Sequence, residues 1–119
     1  MKSLLFSSVF ILVGFFCFSQ EAIIINQEAF KKSVVDGNIS MTLPAEITSD
    51  NVQKYSKYYT AFFTTAFDAK SHQVTFNMVN NDPKSRRVII RFLSANGIQF
   101  ARVDGNSLPL SNFYDAYLN

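Results

Sequence analysis

The stretch Gln73–Val103, QVTFNMVNNDPKSRRVIIRFLSANGIQFARV, leaves few ways to fold. Val74, Phe76 and Met78 alternate with Thr75 and Asn77, the period of two that marks a half-buried strand. Asn81-Asp82-Pro83 ends that run and starts a helix, with Asp82 as N-cap and Pro83 at the first helical position, where a missing N–H costs nothing. Val88, Ile89, Phe92 and Leu93 then make one apolar stripe, and Asn96-Gly97 supplies a left-handed C-terminal residue. Ile98, Phe100 and Val103 form a second extended run. Strand, helix and strand make a core unit, and the remaining elements must cover it.

Upstream, Ile39, Met41 and Leu43 alternate with Ser40 and Thr42, a strand over 39–43 that stops at Pro44. A helix over 48–59 follows, with Thr48 as N-cap, Asp50 in its first turn, and Ile47 and Val52 as a hydrophobic staple. The β-branched and aromatic residues of 61–68 predict a strand that turns through 68–72 into the strand over 73–79. Ahead of these, Ala22–Ile25 is a short apolar run. Residues 26–38 read either as a helix that buries Phe30 and Val34 and closes at Gly37, or as a hairpin turning at Asp36-Gly37. Downstream, Asp104-Gly105-Asn106 is a turn, and Ser111 caps a short final helix that buries Phe113, Tyr114, Tyr117 and Leu118.

Residues 1–19 read as a secretory signal, with Lys2 before an apolar run and small residues at Cys17 and Ser19. The expected layout is therefore a signal over 1–19, an N-terminal extension over 20–38 and a single domain over 39–119. The expected product is exported to the periplasm or beyond the cell in a bacterium and keeps no membrane span after signal removal. Cys17 is the one cysteine of the chain, so signal removal leaves neither a disulfide nor thiolate chemistry. Without Lys2, ten basic residues face nine acidic ones, a balance that argues against nucleic acid as a partner.

The predicted elements spell βαββαβ, the ferredoxin-like α+β arrangement of a four-stranded antiparallel sheet with two helices on one face. Met41-Thr42, the turn and strand of Asp68–Phe76, and Asn96-Gly97-Ile98 resemble the corresponding parts of the heavy-metal-associated domain family. That resemblance implies the fold. In the family, Met-Thr is followed by Cys-x-x-Cys, which binds a soft metal ion. Here Leu43-Pro44-Ala45-Glu46 stands in its place, and the metal function does not carry over.

Three groups of residues are candidates for function. Lys84, Arg87 and Arg91 recur at i, i+3 and i+7 on one helix face with Arg86 on its flank, which suits a solvated surface or an acidic partner, lipid headgroup or phosphate. His72, Met41 and Met78 offer imidazole and thioether ligands for copper, although both methionines alternate with polar residues as core side chains do. Tyr55, Tyr58, Tyr59, Phe62 and Phe63, with Phe113, Tyr114 and Tyr117, exceed what a small core needs, so some are left for a binding patch. No paired carboxylates, nucleophile with base, zinc spacing or phosphate loop is present, and no cofactor is called for. The expected function is non-catalytic: an accessory binding protein, with copper handling and a protease-inhibitor or propeptide-like role as alternatives. Its partner and oligomeric state are not specified by the sequence.

Overall fold

The computed structural model describes residues 21–119, so the predicted signal over 1–19 lies outside the described residues. The elements in order are β1 (Glu21–Ile24), α1 (Gln27–Asp36), β2 (Asn38–Thr42), α2 (Ser49–Ser56), β3 (Phe63–Asp68), β4 (Gln73–Met78), α3 (Pro83–Ala95), β5 (Phe100–Val103), β6 (Asn106–Pro109) and α4 (Leu110–Phe113). A 3-10 turn, Lys57–Tyr59, extends α2, and one π-type turn, Tyr114–Leu118, extends α4.

Local chemistry explains most of these boundaries. Asn26 caps α1 by accepting from the Ala29 N–H at 3.1 Å, and Gly37 closes it at φ 78, which decides for the helix over the hairpin. Thr48 and Asn51 form a reciprocal capping box on α2, with Ile47 and Val52 both buried. Asp82 caps α3 by accepting from the Ser85 N–H at 2.7 Å, with Pro83 in the first turn. The final helix differs from expectation: it starts at Leu110 behind Pro109, and the Ser111 hydroxyl bonds the Asn112 side chain rather than capping.

That bond to the Ser85 backbone, foremost, and a second from its side chain hold the Asp82 carboxyl below its ordinary pKa. A carboxylate acidified by folding stabilises the native state above its unfolded pKa and ceases to do so as pH falls through the folded value. Asp82→Asn keeps an acceptor but not the charge. The variant is therefore expected to be less stable than the native chain at pH 7, and the difference to shrink as pH falls below the ordinary carboxylate range. Urea titrations at a series of pH values measure this, and a gap that does not narrow as pH falls counts against the assignment.

The chain is α+β, but its sheet is not the four-stranded antiparallel one expected. Six strands lie in the order β3-β4-β2-β1-β5-β6, with β1 parallel to β5 and all other pairs antiparallel. The stretch expected as an N-terminal extension instead supplies a strand to the middle of the sheet and a helix to the core. β1 meets β2 only at Ile23 and Thr42 and meets β5 along its whole length. The turn after β5 opens a further hairpin: Asp104 and Gly105 both have positive φ, as a two-residue primed turn requires, and β6 folds back along β5.

One face of the sheet carries Ile24, Ile39, Met41, Phe63, Val74, Phe76, Ala101 and Val103, all buried beneath the helices. Two aromatic clusters fill the core. Phe63, Phe76 and Phe92 meet edge to face at centroid distances of 5.1, 5.3 and 6.1 Å, while Phe30, Phe113 and Tyr117 join α1 to the C-terminal turns. The other face of the sheet is open. There Glu21, 7% exposed, accepts from the Arg102 guanidinium at 3.2 Å and from the Ser107 hydroxyl, tying β1, β5 and β6 together.

Candidate functional site

Because α3 buries Val88, Ile89, Phe92 and Leu93, the 100° step of the helix sends Lys84, Arg87 and Arg91 outward. All three are exposed, and among the described residues none has a carboxylate within 4.0 Å; the one ion pair there is Glu21 with Arg102. The cations line a concave groove of about 480 Å³, within the range of ligand sites. Its apolar wall consists of Phe62, Pro83, Val88 and Tyr114.

Tyr114 fixes the groove's shape. Its hydroxyl donates to the Pro83 carbonyl at 3.0 Å, which draws the ring across the first turn of α3. The Arg87 guanidinium lies over that ring, 4.6 Å from its centroid, a cation–π contact that restrains the side chain without neutralising it. On the far side of this stack, Arg87, Ile90, Ser111, Tyr114 and Asp115 line a smaller hollow of about 270 Å³. The opposite lip is Phe62, 37% exposed, immediately before β3. Sequence reasoning found the cations but not Phe62 or Tyr114 beside them, since neither lies near α3 in the chain.

Arg86, expected on the flank of the basic face as a fourth partner-binding residue, turns away from the groove. Its Nε donates to the Leu118 carbonyl at 2.7 Å and its terminal nitrogen to Asn81 Oδ1 at 2.8 Å. It is a clasp for the C-terminus, not part of the groove. Its position 100° round the helix from Arg87 was the available signal.

The candidate copper ligands are not brought together. Met41 is 2% exposed and stands opposite Val74 across the β2–β4 ladder. His72 precedes β4 and Met78 ends it, so six residues of extended chain hold them about 20 Å apart. The His72 ring meets Phe67 edge to face at 5.6 Å, and its Nε2–H points to the Ala45 carbonyl at 3.2 Å. No cluster of three His, Cys, Asp or Glu side chains suited to a metal occurs among the described residues. Of the aromatic surplus, Phe63, Phe113 and Tyr114 are buried and Tyr55, Tyr59 and Tyr117 half-buried, while Tyr58 and Phe62 remain exposed. Comparison with protein-family models, curated proteins and solved structures finds no match for this chain.

Proposed function

We propose that this is an exported, non-catalytic binding protein whose α3 groove holds an acidic segment of an envelope protein. The observation that carries the reading is the set of three cations that find no carboxylate partner among the described residues, arrayed beside the aromatic walls of one groove. From Lys84 to Arg91 the helix rises about 10 Å, so the charges form a row rather than converge on a point. A row suits an extended chain that repeats carboxylates, with Phe62 and Tyr114 free to pack its apolar side chains; a lone phosphate suits convergent donors better. Export rests on the signal features of residues 1–19.

The scaffold supports a ferredoxin-like reading in an expanded form. β2-α2-β3-β4-α3-β5 follows the βαββαβ order. Setting β1 and β6 aside leaves β3, β4, β2 and β5 in that spatial order, each opposite in direction to the next. On this reading β1 is a strand inserted between the first and last strands of the unit. The likeness to the heavy-metal-associated family stays at the level of fold.

The test is crosslinking capture from the envelope fraction, with the native protein beside Arg87→Glu/Arg91→Glu. The native protein is expected to retain a partner that the variant loses. A labelled peptide of alternating Glu and Phe serves as a direct probe, and its affinity is expected to drop at least about tenfold in the variant and to weaken with salt. Equal capture by both proteins, or peptide binding indifferent to salt, rules the reading out.

A further inference from the structure

The two ends of the sheet are unequal. β6 is an edge of four residues that contains Pro109 and passes directly into α4, so it offers little to another strand. β3 is an edge of six residues, Phe63-Thr64-Thr65-Ala66-Phe67-Asp68, without proline or lysine. The Val79 N–H donates to the Phe62 carbonyl at 3.0 Å, which makes this a hydrogen-bonded pair in the β3–β4 register. Alternation then directs the backbone groups of Thr64, Ala66 and Asp68 toward β4 and those of Phe63, Thr65 and Phe67 toward the open edge. Among the described residues, the N–H and C=O groups of those three residues find no backbone partner in another element.

We infer that β3 pairs antiparallel with β3 of a second copy of this chain, about a two-fold axis at Thr65, joining two sheets into one. The edge is nearly palindromic about that residue. Reversal places Phe63 opposite Phe67, Thr65 opposite itself and Thr64 opposite Ala66, so aromatic meets aromatic and small meets small. Charge does not oppose this pairing, because no like charges face each other across the two-fold. Asp68 is the only charged residue of the strand and comes opposite the apolar Phe62 of the second copy, while the two Asp68 carboxylates stand about 20 Å apart. The backbone groups of Phe63, Thr65 and Phe67 are those directed outward, so this register exchanges two hydrogen bonds at each of three residue pairs. The pairing does not involve the α3 cations, although Phe62, the lip of their groove, lies at the end of the paired strand.

Sedimentation equilibrium on the purified protein tests it, in the native form and in two variants altered on the open face of β3. Thr64→Lys/Ala66→Lys sets like charges opposite each other across the two-fold, whereas Thr64→Lys/Ala66→Glu sets opposite charges there. All four substituted side chains of a pair lie on the exposed face, and far-UV circular dichroism checks that each variant is folded. The expected result is a native dimer at about 100 µM, a monomeric Lys/Lys variant and a dimeric Lys/Glu variant. A native monomer at that concentration, or two variants of the same oligomeric state, overturns the inference.

Discussion

Phe92→Ala is expected to lower the free energy of unfolding by about 3–5 kcal/mol. A domain of this size holds only about 5–15 kcal/mol in total, so the variant will sit near the limit of folding. Phe92 is 0% exposed and stands edge-on to Phe63, Phe76 and Tyr59, with centroid distances of 6.1, 5.3 and 6.5 Å. Its removal takes away buried apolar area and three aromatic contacts at once. The cavity cannot close easily, because its walls belong to β3, β4 and the turn after α2, which hydrogen bonds and packing hold in place. Phe100→Ala is the control: that ring is 36% exposed on the open face of the sheet, and its loss should cost less, about 1–2 kcal/mol. Urea unfolding followed by far-UV circular dichroism compares them, since the chain has no tryptophan to report. Equal losses at the two positions would mean that the aromatic trio does not bear the core.

The same ring shows what the sequence made legible. Phe92 follows Val88 and Ile89 at helical spacing, and its helix carries both of its end signals within the chain nearby, Asp82-Pro83 before it and Gly97 after it. Such local rules also located α2 through Thr48 and β4 through its alternation. Pairing between distant strands obeys no local rule. Glu21–Ile24 reads as a short strand-forming run, but nothing in those four residues tells that they lie between β2 and β5, some fifteen and eighty residues away. Once there, β1 enlarges an antiparallel unit into a mixed sheet, and Glu21 finds Arg102 and Ser107 across two strands. β6 was hidden for a related reason. Asn-Ser-Leu-Pro has little strand propensity, and it is the positive-φ pair Asp104-Gly105 that returns it along β5. The site divides in the same way: helical spacing grouped Lys84, Arg87 and Arg91, whereas Phe62 and Tyr114 reach the groove through tertiary packing alone.

Arg86→Ala is expected to destabilise the fold by about 2–3 kcal/mol, while Arg87→Ala, one residue on, should change it by under about 1 kcal/mol. The difference follows from where each guanidinium ends. Arg86 is half-buried, and its two bonds bridge the Leu118 carbonyl and the Asn81 side chain; Asn81 in turn donates to the Val34 and Val35 carbonyls at the end of α1, at 2.8 and 3.2 Å. Three segments that no strand ladder joins, the C-terminus of α1, the start of α3 and the last turn of the chain, thus meet at one side chain. Truncating it leaves a buried carbonyl without its donor and frees the turn that sets Tyr117 against Phe30 and buries Leu118. Arg86→Lys should restore only part of the loss, because an ammonium group cannot reproduce the planar fork that reaches two acceptors in different directions. Arg87 is exposed and gives up only its contact with the Tyr114 ring. Urea unfolding ranks the three variants, and hydrogen exchange at residues 114–118 localises the effect: protection there should fall in Arg86→Ala and persist in Arg87→Ala. Equal stability and equal protection would place Arg86 back among the surface cations. The expected split instead assigns neighbouring arginines to opposite duties, one closing the fold and the other left uncompensated where a ligand can reach it.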